Sequence, residues 1–343
     1  MELNDRGRSI LKAIINSYIA TAEPVGSRTV TKRYDLGISP ATVRNIMADL
    51  EEMGFLAQPH TSAGRIPTDR AYRFYIDTLL EVKGISRQQE QKILNYPLPM
   101  DDVGHLLKET TKLLSGLSSY VGVVMAPKSA DTAYRHIEFI RLAGRRALVV
   151  LVSEAGIVHN RMILLDEEAS QRDLDRAGEL LNGEMKGCSL RDIRARIVAM
   201  MDDDRDRYAR LLSRLMGEEG AETPGGTESE DEVYIGGMSE FFDMPDFRDI
   251  EKMKSLFHAF EEKGRLIKLL DGAVNAEGVQ VFIGSENPYF EMQGVSLVAA
   301  RYRGAGNVIG TLGVIGPTRM SYSTVIPIVD CTAKVLGRLL SER

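Results

Sequence analysis

Thr42, Arg44 and Asn45 stand almost side by side, and their side chains suit the edges of DNA bases. Arginine offers a fork that fits guanine O6 and N7, asparagine pairs with adenine N6 and N7, and threonine donates a hydroxyl or sets its methyl on thymine. Around them Val43, Ile46, Met47 and Leu50 recur at helical spacing. That pattern predicts a helix with its apolar face inward and Thr42, Arg44 and Asn45 outward, followed a turn later by Ala48 and Asp49. Ser39 suits the N-cap and Pro40 the first helical position. Ile38 and Val43 fall where a hydrophobic staple closes. A recognition helix enters the major groove with its N-terminal residues leading, and its free amides favour phosphate. Glu51 and Glu52 would repel DNA, but they fall at the far end.

A second group follows at His60-Thr61-Ser62-Ala63-Gly64-Arg65. It is small and hydroxylated, and it ends in a cation. Such a loop approaches phosphates through backbone N–H groups, while Arg65 is expected to reach backbone or minor groove. Arg70 and Arg73, one turn apart on the next predicted helix, are expected to add positive charge nearby. The candidate DNA-contacting residues are therefore Ser39, Thr42, Arg44, Asn45, His60, Thr61, Ser62, Gly64, Arg65, Arg70 and Arg73.

These residues need a scaffold, and the first 82 residues predict one. Ile10, Leu11, Ile14, Ile15, Tyr18 and Ile19 make one apolar stripe on a helix over 5–21. Ser27 is expected to cap a short second helix to about Tyr34, and Gly37 to supply a left-handed residue in the following turn. Phe55–Gln58 and Arg65–Pro67 read as two strands around the loop, and Thr68 as the cap of a helix to about Val82. Three short helices and a two-stranded hairpin are the layout of a winged helix-turn-helix. Such modules also serve as protein-interaction surfaces, and an Arg-Asn pair is often only a solvated face, so the pattern alone leaves both readings open.

Residues 83–102 read as a linker, with Gly84, a polar RQQEQK stretch, Pro97 and Pro99. Beyond them helix and strand patterns alternate: a helix over 103–117, strands near 120–126, 135–143, 146–153 and 157–164, and a long amphipathic helix from Leu190 to about Met216. A short strand at Val233–Ile235, helices near 249–260 and 261–272, strands near 278–283, 295–303 and 307–315, and a helix from about Tyr322 complete the pattern. Between them Glu218–Glu232 carries six Glu and one Asp without a Lys or Arg, which reads as a solvated loop.

Composition bounds the function classes. The 343 residues exceed one ordinary domain, and the net charge of −6 is a poor guide when only one module meets DNA. No apolar stretch approaches a membrane span and the start has no signal-peptide pattern, so a cytoplasmic protein is expected. Cys188 and Cys331 form no CxxC and read as small buried hydrophobes. His60, His105, His136, His159 and His258 show no ligand spacing, so no metal or cofactor is expected. GxxxxGK[ST], GxSxG and HExxH motifs are all lacking, which argues against an enzyme. Gly304, Gly306 and Gly310 are spaced GxGxxxG between two strand patterns and read as a hairpin turn.

The run SPATVRNIMADLEEMGFLAQPHTSAGRIPTDRAYRFYID makes the reading specific. With GTLGVIGPTRMSYSTVIPIV at Gly310–Val329, it resembles the heat-inducible transcription repressor family HrcA, in order and across essentially the whole chain. Ala71 stands where the family pattern suggests Gly, and Ser321 where it suggests Asp. The resemblance implies an α+β multidomain protein: a winged helix over 1–82, a GAF-like domain over 103–159 and 232–343, and an inserted dimerisation domain over 160–231 holding the acidic loop 218–232. It also implies a homodimer on an inverted-repeat operator, the CIRCE element, upstream of chaperonin and DnaK-type chaperone operons, with chaperonin keeping the repressor active. The rival expectation is a regulator whose GAF-like domain senses a small ligand.

Overall fold

A computed structural model describes residues 3–342 apart from 36, 61–62, 83, 100–101, 127–132, 154–157, 166–167, 185–186, 190–191, 193–232, 248–252, 255, 257–259, 261–262, 275–277, 287–293 and 305–308. The expected long helix over 190–216 and the acidic run 218–232 fall almost wholly outside the described residues.

The N-terminal module is a winged helix-turn-helix. Helix α1 (Asp5–Thr21) buries Ile10, Leu11, Ile14 and Ile15. Asn4 caps it, its side chain accepting from the Gly7 amide. Helix α2 (Ser27–Arg33) follows, and Gly26, not Ser27, is its N-cap, without a side-chain cap bond. Gly37 takes a left-handed φ of 62° in the turn to α3 (Pro40–Glu52). Strands β1 (Leu56–Ala57) and β2 (Ile66–Pro67) pair as the antiparallel wing. Thr68 caps α4 (Asp69–Phe74), which continues as a π-helical turn over Tyr75–Leu79 and stops short of Val82.

Part of the expected linker is a docked helix, α5 (Arg87–Leu94). Its Ser86 cap fixes the start, the Ser86 hydroxyl accepting from the Gln89 amide. Its one deeply buried residue, Ile93, joins Leu113 and Val335 in a small core. A single apolar anchor in an otherwise polar stretch is too weak a periodic signal to read from sequence.

The C-terminal part is built on a five-stranded antiparallel sheet. Its strands are β3 (Val121–Met125), β8 (Val233–Gly236), β9 (Val279–Ile283), β10 (Val295–Arg303) and β11 (Ile309–Pro317), in spatial order β8-β3-β11-β10-β9. Strand β10 returns as β11 with Arg303 opposite Ile309, the hairpin expected at the glycine-rich turn. Alternation sorts the side chains: Val121, Val123 and Met125 face α8 (Lys263–Val274), while Val124, Leu312 and Val314 face α6 (Val103–Ser118) and the closing α9 (Tyr322–Ser341). Gly122 lets α6 lie directly on the sheet, since a Cβ there would stand 2.2 Å from the Thr111 carbonyl oxygen. Helices thus cover both faces of this sheet.

A second, four-stranded sheet lies between β3 and β8 in the chain. Strands β4 (Ala133–Arg141), β5 (Arg146–Ser153), β6 (Val158–Leu164) and β7 (Cys188–Ser189) order as β6-β5-β4-β7. Helix α7 (Gln171–Glu184) covers one face, packing Leu174, Ala177 and Leu181 on Tyr134, Phe139, Val149 and Leu151. The domain edge expected between 159 and 160 therefore falls inside β6. Strands β4 and β5 leave the first sheet with β6 because β4 pairs with β5 and β5 with β6, and neither pairs with β3. Consecutive alternating strands carry no mark in the sequence of which sheet they join.

The winged helix is packed onto the five-stranded domain through one continuous core, in which Tyr72 meets Tyr322 at a ring separation of 6.1 Å. Polar contacts pin the seam. Arg319, from the GPTRM run, grips both Asp246 oxygens at 2.6–2.9 Å and donates to the Ile19 carbonyl at 3.0 Å. Ile19 lies in the last turn of α1, where carbonyls lack helical partners and no basic residue of the helix itself is present. Burial opposes the Arg319 charge, but the Asp246 carboxylate overrides it and the pKa is raised. The Asp69 carboxylate accepts from the Ser285 amide at 3.3 Å.

Candidate nucleic-acid interface

Helix α3 presents its face as its sequence predicts. Ser39 caps it, the hydroxyl accepting from the Thr42 amide at 3.1 Å and lying 2.9 Å from the Thr42 hydroxyl. Ser39 is thus engaged in building the helix start, which aims α3, and this geometry gives it no separate base-reading role. Val43, Met47 and Leu50 are buried and Ile46 half-buried, so Thr42, Arg44 and Asn45 emerge exposed together. Arg44 also lines an open cleft of about 480 Å³ with Ser27, Gln58 and Arg65, between α2, α3 and the wing. Its polar lining and exposed cation suit a strand of phosphates.

The wing is organised differently from expectation. His60 is exposed at the tip, where its carbonyl accepts from the Ala63 amide at 2.9 Å. Thr61 and Ser62 lie outside the described residues. Gly64 sits at the wing base against the backbone of Pro24 and Val25, and a Cβ on it would stand 2.5 Å from the Val25 carbonyl oxygen. Its small size therefore serves the fold of the module, not the approach of a phosphate. The Arg65 amide and carbonyl exchange hydrogen bonds with Val25, each at 2.9 Å. The Arg65 guanidinium turns toward α3 and meets Glu51 at 2.8 Å through both Nε and a terminal nitrogen. It is not extended toward a minor groove.

Arg70 and Arg73 also point away from the α3 tip. Arg70 donates to the Met53 carbonyl at 2.8 Å and lies 4.8 Å over the Phe55 ring, bracing the end of α3. Arg73 bridges to the C-terminal domain, pairing with Glu286 and donating to the Val281 carbonyl at 2.6 Å. The Glu286 hydrogen bond raises its pKa further. Neither is placed beside Arg44: Arg70 keeps its charge at the far end of α3, where the Met53 carbonyl accepts from it, and the Arg73 charge is paired with Glu286. Such partners lie far away in sequence, Glu286 more than two hundred residues from Arg73, and no local pattern announces them.

Sequence reasoning passed over the cations of α2. Arg28, Lys32 and Arg33 are all exposed on the helix that precedes α3. The run SRTVTKR held the signal: Val30 alone is buried, so every cation must face out.

Comparison with known proteins agrees with this geometry. Residues 2–78 match the model of the winged helix-turn-helix transcription repressor, HrcA DNA-binding, and residues 104–326 match the HrcA protein C terminal domain. The heat-inducible transcription repressor HrcA of Geobacter sulfurreducens is 48% identical over 342 residues, covering 99% of this chain and 98% of that one. The protein of the same name from Syntrophobacter fumaroxidans is 40% identical over 343 residues, covering 99% and 98%. A crystal structure of a hypothetical protein at 2.2 Å resolution covers 99% of both chains with a TM-score of 0.65 at 22% identity, a likeness of fold. Among the described residues no helix is long and apolar enough to cross a membrane.

Proposed function

The chain belongs to the HrcA family of heat-inducible transcription repressors, and from that premise we propose that it acts as a homodimer on the CIRCE inverted repeat upstream of chaperonin and DnaK-type chaperone operons. The observation that carries the reading is the joint exposure of Thr42, Arg44 and Asn45 on the leading half of a capped helix whose other face is buried. Arg44 and Asn45 meet base edges in the major groove, Thr42 meets base or phosphate, and Arg28, Lys32 and Arg33 of α2 face the flanking phosphates. An inverted repeat calls for two such modules related by a two-fold axis.

The second sheet supports pairing of two chains. Its face away from α7 carries Ile140 and Val158, 38% and 55% exposed, beside half-buried Leu148, Val150 and Val152. A second copy would bury these apolar side chains, and residues 103–343 are proposed to dimerise without the winged helix. Chaperonin maintains the active fold: the seam between the modules joins residues some 300 positions apart, as Ile19 and Arg319, so it closes late in folding and leaves apolar surface open until then. The abundance of free chaperonin is then the signal. A gel-shift titration with a CIRCE duplex, repeated after mild heating with and without chaperonin and ATP, tests this. Two chains per duplex and recovery only with chaperonin are expected. Full recovery of binding without chaperonin would place regulation elsewhere.

A further inference from the structure

Arg65 and Glu51 form an arrangement in the winged helix that the DNA-reading account leaves unused. Arg65 is held from two sides. Its backbone is bridged to Val25 at the turn between α1 and α2 by two hydrogen bonds of 2.9 Å. Its guanidinium reaches α3 and gives both Nε and a terminal nitrogen to one Glu51 oxygen at 2.8 Å. Gly64 closes the third side, because the wing base rests on the Val25 carbonyl with no room for a methyl group. Wing, recognition helix and the α1–α2 turn thus meet at one residue. The two side chains are only 21% and 33% exposed, so water competes weakly for the pair. The contact also neutralises a carboxylate on the helix that faces DNA.

We infer that Glu51 and Arg65 form a clasp that fixes the wing relative to the recognition helix, making Glu51 a positioning residue for operator reading although its charge alone would oppose DNA. The inference rests on the reading that α3 enters the major groove. A wing held at one angle lets its tip and the α3 tip engage a single duplex together, whereas a loosened wing must be ordered at each encounter. Loss of Arg65 releases the wing and leaves the half-buried Glu51 carboxylate without its partner. Loss of both side-chain charges releases less, because two neutral amides still hydrogen-bond and no unpaired carboxylate is left half-buried.

The test is a mutant cycle in the full chain: Arg65→Gln, Glu51→Gln and the double variant, titrated with a CIRCE duplex and a scrambled duplex over a range of salt. The clasp predicts that Arg65→Gln loses roughly tenfold on the repeat with little change in salt slope, and that the double variant recovers most of that loss. Parallel losses on both duplexes, a slope smaller by about one and no recovery would make Arg65 a plain phosphate contact and overturn the clasp. Hydrogen exchange on the DNA-free protein decides the same question without the operator. The Val25 and Arg65 amides should exchange about tenfold faster in Arg65→Gln, an opening of the local structure, while the α1 core amides stay unchanged. Unaltered Val25 and Arg65 amides would overturn the clasp. Arg44→Ala run alongside reports on the groove reading separately, since its failure leaves the exchange result standing.

Discussion

Replacing Arg319 with alanine strikes the seam between the DNA-binding module and the domain that carries it. The guanidinium makes three contacts of 2.6–2.9 Å with the Asp246 carboxylate and a fourth of 3.0 Å with the Ile19 carbonyl. The paired side chains are 14% and 20% exposed. Removing one partner of a fully buried pair costs about 3–5 kcal/mol, most of it from the charge left behind. Residual access of water to Asp246 lowers this to about 2–4 kcal/mol. At roughly 1–2 °C per kcal/mol for a chain of this size, the unfolding midpoint should fall by about 2–8 °C. Circular dichroism at 222 nm follows it (a helix signal, chosen because α1 and α9 both flank the seam). Asp246→Asn should be destabilising as well, and the double variant should cost less than the sum, because the two residues serve one contact. Operator binding in the cold should survive, with release moved to a lower temperature. A midpoint within about 1 °C of the parent, or strict additivity of the two variants, would refute the view that this pair holds the seam.

Three further outcomes follow from named contacts. Gly64→Ala pushes a methyl into the Val25 carbonyl; overpacking of this kind costs about 1–3 kcal/mol, so operator affinity should fall at least several-fold in a gel shift while helix content is kept. Ser39→Ala removes the α3 cap and should lower stability by about 1 kcal/mol in a urea titration, with Ser39→Gly losing only a few tenths. Arg73→Ala should leave the salt slope of DNA binding unchanged, because its charge is spent on Glu286, and should lower stability in a urea titration by about 1 kcal/mol or less, as befits a pair about one-third exposed.

How much of this was legible in the chain depended on the range of each interaction. Helix α3 was readable in full because its cap, its proline and its apolar face are all local, and so was α1 with its paired isoleucines. The five-stranded sheet was readable strand by strand. What escaped was whatever depends on a distant partner. Arg65, Arg70 and Arg73 look alike as cations near a hairpin, yet Glu51, Met53 and Glu286 claim them. The helix of α5 hid in a polar stretch because only Ile93 anchors it. The start of the second sheet hid because β4 alternates like its neighbours, and only pairing tells which sheet it joins. The outward cations of α2 were within reach, since a single buried valine in SRTVTKR leaves them no other direction.

The central claim is that Arg44 and Asn45 read bases from the leading half of α3. Its most direct measurement is the affinity of Arg44→Ala and Asn45→Ala for CIRCE duplexes in which each half-site position is varied in turn. The account predicts a loss of about 1–3 kcal/mol, roughly 5- to 150-fold, for each variant on the parent repeat. It also predicts indifference to the base at one symmetric position, a different one for each residue. Two variants that bind the parent repeat as tightly as the unaltered chain, with the same base preferences, would contradict it.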